Sequence, residues 1–177
     1  EHRNNYELIL CVENKSDPAI PIVKKIIKEY PGVDIRLIYS SRYSDSKGKI
    51  QNMIAGVKEC KYDIIIFTDA DVHVHPSFVK EAVLPIQNRE IGLVFCPPVS
   101  VGAEEWPAAL VNLCVNDTIV NYAPYLITRS FNKANGAVMV LRKEVIDEIG
   151  GFEQFGSSVA IDVKITTAIY KKGYTIH

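Results

Sequence analysis

The sequence lacks any uninterrupted apolar run of membrane-spanning length. Its longest candidate, Trp106 to Ile127, is broken by Asn112, Asn116, Asp117 and Asn121, and reads as a buried or amphipathic helix whose polar positions face something. No signal peptide is recognisable at the start. A surplus of either charge is absent too: 20 basic residues stand against 21 acidic ones, a net charge of −1. That argues against a nucleic-acid partner, which selects markedly basic surfaces. No CxxC pair occurs among Cys11, Cys60, Cys96 and Cys114, so neither a zinc knuckle nor a disulfide framework is indicated. Cys11 and Cys96 sit inside apolar runs and are expected as buried, reduced thiols, which fits a cytosolic setting. Low-complexity tracts, repeats and internal linkers are missing. Glycine is missing from the loop after the first apolar run, "CVENKSDPA", where a nucleotidyltransferase would want a glycine-rich phosphate loop.

What remains is ordinary globular composition, 47% apolar and 23% charged over 177 residues, enough for one domain spanning 1–177 with a real core. Short apolar runs at 6–12, 33–39, 62–68, 91–97 and 136–142 predict strands, and "GYTIH" starts another. Between them lie helical patterns: from Pro18 to the "PG" at 31–32, from about Lys49 to Lys58, from Pro76 to about Ile86, over 104–127, over "KEVIDEIGG", and a last one running to Lys172 that Ser157 or Ser158 could cap. Alternating strands and helices predict an α/β sandwich on a mainly parallel sheet. In such sheets ligands bind beyond the C-terminal strand ends. The loops "ENKSDP", "SSRYSDSKGK" and "TDADVHVHP" all follow strands and should therefore gather at one edge.

Asp69 and Asp71 form a DxD at the end of the greasy run "DIIIFT". If the chain stays extended there, both carboxylates point the same way, because strand side chains repeat every two residues. Hard cations such as Mg²⁺ or Mn²⁺ take carboxylate oxygens and share the remaining positions with phosphate and water. An isolated DxD is more often a solvated turn; the buried strand before it and the proline-started helix after it strengthen it here. His73 and His75 continue the alternation but read better as surface residues than as ligands. Asp17, before Pro18, is explained by helix N-capping alone. Lys49 sits at a helix start, where the dipole disfavours a cation unless an anion lies close by. Asp162 falls near the start of the last helix, where the dipole favours a carboxylate, and Phe152 and Phe155 could wall an acceptor pocket.

Taken in order, "YELILCVENKSDPAIPIVKKIIKEYPGVDIRLI", "KGKIQNMIAG", "YDIIIFTDADVHVHP", "IGLVFCPP", "GAVMVLRKEVIDEIGGF" and "VAIDVKI" resemble the catalytic domain of ceramide glucosyltransferases and their bacterial relatives. These are inverting, membrane-associated glycosyltransferases of the GT-A type. The resemblance implies a Rossmann-like three-layer sandwich, a UDP-sugar donor, a Mg²⁺ or Mn²⁺ ion and a lipid hydroxyl acceptor of ceramide type, at the cytoplasmic face of a membrane. It implies that Asp17 lies near the nucleotide base and ribose, that Lys49 and Asn52 line the donor site, that Asp69 and Asp71 hold the metal, and that Asp162 is the general base. Two departures accompany it. Ile161 stands where the family usually has glutamate, and the sequence ends at His177 before the family's downstream (Q/R)-x-x-R-W motif and its hydrophobic segments. An excised domain accounts for both missing parts. The alternatives are a transferase acting on polyprenyl phosphate, hopanoid, diacylglycerol or polysaccharide, and a nucleotide-sugar-binding module without catalysis.

Overall fold

A computed structural model describes residues 6–43, 48–128, 136–156 and 160–177, with residues 118–128 described by their backbone alone. Among the described residues there are six strands and six α-helices, largely alternating: β1 Leu8–Val12, α1 Ile20–Glu29, β2 Ile35–Tyr39, α2 Lys49–Glu59, β3 Ile64–Thr68, α3 Phe78–Val83, β4 Ile91–Phe95, α4 Trp106–Thr128, β5 Val138–Arg142, α5 Lys143–Glu148, α6 Ile161–Lys171 and β6 Thr175–Ile176. Each expected element is present, with its ends shifted by a few residues. The helix expected from Pro76 to Ile86 is instead α3 followed by a separate 3-10 turn, Pro85–Gln87. Ser157 and Ser158, expected to cap α6, lie outside the described residues.

The period-2 pattern of the strands builds the layers. Ile65 and Phe67 of β3, Leu93 and Phe95 of β4, and Met139 and Leu141 of β5 all face one side, where α2, α5 and α6 cover them with Ile50, Met53, Ile54, Val145, Ile146, Ile165 and Ile169. The alternate residues Ile64, Ile66, Val94 and Val140 face the opposite layer, which contains Ala82 and Ile86. Phe152 and Phe155 are buried in the larger core, and Phe152 meets Phe67 edge-on, ring centroids 5.5 Å apart. They are core residues, and neither lines the cleft that holds Asp69 and Asp162.

Strand direction departs from the expectation in one respect. β1 pairs with β2 in parallel as a two-stranded sheet, and the second sheet runs β3-β5-β4-β6. Within it β4 and β6 are parallel, but β5 is antiparallel to both β3 and β4, with Thr68 opposite Val138 and Ile64 opposite Arg142. The sheet is mixed. The consequence is positional, since β5 begins at the edge where β3 and β4 end.

One local expectation changes and another holds. α1 starts at Ile20 with Pro21 in its first turn, so Asp17 is not its N-cap residue; its Oδ1 accepts the Ala19 N–H at 2.8 Å in the turn just before the helix. In α4 two of the interrupting asparagines, Asn112 and Asn116, do face a partner. Asn116 accepts the Ser100 N–H at 2.8 Å and donates to the Ser100 carbonyl at 3.1 Å, and Ser100 Oγ contacts Asn112 at 2.5 Å. Trp106, Leu110, Val111 and Leu113 of the same helix are exposed. No helix among the described residues is long and apolar enough to cross a membrane. None of the four cysteines is in a disulfide; Cys11 and Cys96 are half-buried. Burial, assisted by the Glu59 carboxylate, pushes the Cys11 thiol up to about 11 and burial also raises Cys96.

Candidate active site

The three loops after β1, β2 and β3 gather as expected. The Ser41 N–H donates to the Glu13 carbonyl at 3.2 Å, the Gly48 N–H to Glu13 Oε1 at 2.8 Å, and Lys49 Nζ lies 2.7 Å from Asp69 Oδ1. Ser40, fully buried, ties the strand ends to α2: its Oγ lies 3.2 Å from the Val12 carbonyl, 3.3 Å from Gln51 Oε1 and 2.6 Å from Asn52 Oδ1. A hydroxyl has one proton to donate, and the shortest contact, to Asn52, takes it. Gly48 adopts φ +65° as the residue before α2, a left-handed backbone that a side chain would strain.

A cleft of about 320 Å³ opens at this edge, lined by Lys49, Met53, Asp69, Gly136, Met139, Ile161 and Asp162. Four of these residues form a continuous polar chain. Lys49, the first residue of α2, reaches Asp69 at the end of β3 and also donates to the Gly136 carbonyl. The Gly136 N–H in turn donates to Asp162 Oδ2 at 2.8 Å. Asp162 Oδ1 accepts the Val163 N–H at 3.0 Å, so both oxygens of this carboxylate, itself in the first turn of α6, are oriented by main-chain donors, one from α6 and one from the segment before β5. The Asp69 N–H donates to the Ala137 carbonyl at 3.0 Å, continuing the β3–β5 pairing into the site. The cation at the start of α2 thus has its anion in Asp69, within the chain itself.

Gly136 is the residue that sequence reasoning missed. A Cβ there would come within 3.0 Å of Lys49 Nζ, 3.1 Å of Asp162 Cβ and 3.2 Å of Asp162 Oδ2. The absent side chain lets the lysine and the aspartate close on one peptide without either being pushed aside. The signal was a glycine at the mouth of an apolar strand, and its meaning depended on β5 running antiparallel. Glu13 and Ser40 were missed as well; nothing set them apart from other polar loop residues.

The other expected residues are placed differently. The chain does not stay extended past Thr68: residues 70–71 turn, and the Val72 N–H reaches back to the Asp69 carbonyl at 3.4 Å. The alternation argument for a shared direction therefore fails. Asp69 enters the cleft, whereas Asp71 is exposed and is not among the lining residues. Asp17 and Asn52 also lie outside the lining set. Ile161 does line the cleft, beside Asp162.

Among the described residues, no group of three or more His, Cys, Asp or Glu side chains is placed to hold a metal. Octahedral Mg²⁺ is usually bound through one or two carboxylates, with substrate phosphates and water completing its shell. Asp69, whose carboxylate already attracts a cation, could supply one carboxylate to such an ion, whereas Asp71, outside the cleft, is not positioned beside it.

With this geometry in view, the profile of glycosyl transferase family 21 matches residues 2–177. The chain belongs to that family. It is 25% identical over 172 residues to ceramide glucosyltransferase 3 of Caenorhabditis elegans, covering 97% of this chain and 38% of that protein. To the ceramide glucosyltransferase of Komagataella phaffii it is 36% identical over 168 residues, covering 80% of this chain and 32% of the relative. The chain therefore spans about a third of the length of these relatives. In three dimensions it resembles a mannosyltransferase from Pyrobaculum calidifontis solved with GDP-Man and Mn²⁺, with a TM-score of 0.72 at 18% identity, covering 98% of this chain and 45% of that one. Glucosyl-3-phosphoglycerate synthase from Mycobacterium tuberculosis, solved with UDP, gives a TM-score of 0.54 at 15% identity over 96% of this chain and 57% of that one. The fold is that of GT-A glycosyltransferases, as the family resemblance implied.

Proposed function

We propose that this family 21 domain binds a UDP-sugar with a divalent cation and transfers a hexose, glucose in the first instance, to the hydroxyl of a ceramide-like lipid with inversion. The convergence of Asp69 and Asp162 on one cleft through Lys49 and Gly136 carries the reading. The names of the relatives support the sugar and the lipid, and the exposed apolar residues of α4 suit a membrane-associated protein working beside lipid.

In this reading Asp162 is the general base. The hydroxyl of the acceptor gives its proton to an Asp162 oxygen while the hydroxyl oxygen bonds to the anomeric carbon and the bond from that carbon to the diphosphate breaks on the far side. The Gly136 and Val163 N–H groups hold the carboxylate in orientation and leave it lone pairs to receive the proton. A cation held by Asp69 with diphosphate oxygens would neutralise the charge growing on the leaving group. Lys49 adds a second positive charge on the same side. Asn52, fixed by Ser40, and Asp17 serve the nucleotide half.

The experiment is sugar transfer from UDP-glucose to ceramide in detergent micelles, wild type against Asp162→Asn, with UDP affinity measured in parallel. Transfer should fall by about a hundredfold or more while UDP affinity stays unchanged. Equal transfer by the variant removes Asp162 as the base. Ile161, apolar and beside Asp162 in the cleft, favours a second reading, a domain that binds nucleotide sugar without transferring it. UDP binding by wild type without transfer to any lipid acceptor supports that reading.

A further inference from the structure

We infer that Lys49 is a resident cation that occupies the metal side of the cleft, and that it moves from Asp69 to the diphosphate when nucleotide and metal bind together. The inference rests on the donor-site reading above. Lys49 Nζ is 2.7 Å from Asp69 Oδ1, on the carboxylate that the cation needs, and its second contact is the Gly136 carbonyl. An ammonium has three hydrogens, and these contacts use two.

Three features make the occupancy exchangeable. The side chains of Lys49 and Asp69 are 37% and 41% exposed, so water reaches the pair and screens it. The ammonium sits on a flexible four-carbon stem, rooted at the first residue of a helix whose dipole repels it there. A divalent ion and an ammonium on the same carboxylate oxygen would repel each other, so one displaces the other.

The metal alone gains little from this exchange. With only Asp69 offered, it breaks an ion pair, leaves Lys49 without its anion at a helix N-terminus, and must keep most of its water. A diphosphate changes both sides at once, supplying oxygens to the metal and a new anion for Lys49 at the position where the dipole also favours one. Metal and nucleotide therefore bind with positive coupling, and by linkage each strengthens the other equally. The Gly136 peptide feels the exchange as well. Its carbonyl loses Lys49 while its N–H keeps Asp162, so donor loading alters the support of the carboxylate proposed as base.

The test follows the Lys49 side chain by NMR, through its Cε and Nζ resonances, in Mg²⁺ alone, UDP alone and both together. The resonances are expected to stay near their starting positions in Mg²⁺ alone and to shift strongly in Mg²⁺ with UDP. In calorimetry, Lys49→Met should bind Mn²⁺ alone up to about fivefold more tightly than wild type, the scale of a solvent-reached ion pair. The same variant should lose most of the enhancement that UDP gives to Mn²⁺ binding. Lys49 resonances that stay put while Mg²⁺ and UDP bind would overturn the exchange, because both cations would then share Asp69. Mn²⁺ binding no tighter in the variant would overturn it too. Wild type that binds neither UDP nor metal overturns the donor-site reading and the exchange with it. The wild-type spectra decide the matter even where the variant fails to fold.

Discussion

The two ends of β5 carry ion pairs of opposite character. At its C-terminal end Arg142, 5% exposed, donates to the carbonyls of Ile86 at 2.8 Å, Ile91 at 2.9 Å and Arg89 at 3.2 Å, and to Glu144 Oε1 at 2.7 Å. At its N-terminal end the Lys49–Asp69 pair is more than a third exposed and lines an open cleft. The first guanidinium is spent on main-chain carbonyls that have no other direction to turn. The second cation is held by groups that a ligand could replace. Burial and the number of fixed acceptors, not the pairing of charges, separate an ion pair that holds the fold from one that can take part in chemistry.

Substitution at the two ends should make the contrast measurable. Arg142→Met leaves the Ile86 and Ile91 carbonyls without this donor, while Glu144 keeps Arg89, and should cost about 3 kcal/mol of unfolding free energy by urea titration, the scale of leaving buried acceptors unpaired. A cost under 1 kcal/mol would erase the distinction. Next in size is Gly136→Ala, where the new methyl meets Lys49 and Asp162 at 3.0–3.2 Å and should cost about 1–3 kcal/mol, with UDP affinity reduced as the lysine is displaced. Lys49→Met should change stability by about 1 kcal/mol or less, in contrast to Arg142. The smallest effect belongs to Glu144→Gln. Arg142 and Arg89 hold the Glu144 carboxyl below its usual 4.5. A depressed carboxyl stabilises the folded state above its unfolded value, and that contribution disappears as pH falls through the folded value. The advantage of wild type over Glu144→Gln should therefore be present at pH 7, begin to fall near 4.5 and vanish once the pH is below the lowered folded value. An advantage that persists there assigns it to packing.

Much of this was readable from residue order. The runs "IIIFT", "IGLVF" and "VMVLR" announce buried strands because both faces of each are covered, and the proline and glycine punctuation brackets most of the helices. Lys49, Asp69 and Asp162 were picked out individually, and the fold brings them to one cleft. What could not be read was direction. A buried strand carries the same apolar signature whether it runs parallel or antiparallel. The reversal of β5 is what delivers Gly136 between Lys49 and Asp162 and what sets Arg142 at the far end. The turn after Asp69 was hidden for a similar reason: "DADVHVH" alternates as a strand would, yet the chain leaves the sheet and Asp71 leaves the cleft. Asp17 illustrates a milder case, since its carboxylate does receive a main-chain N–H, that of Ala19, but in the turn before a helix that begins two residues later than Pro18 suggested.

The central claim is that Asp69 anchors the donor side of this cleft. Its most direct test is titration calorimetry of UDP in the presence of Mn²⁺, comparing wild type with Asp69→Ala. Metal-dependent UDP binding by wild type, lost or weakened at least tenfold in the variant, is the predicted result; that loss would exceed the about 1 kcal/mol expected of a solvent-exposed ion pair alone. Equal Mn²⁺-dependent affinity in the two proteins would contradict it.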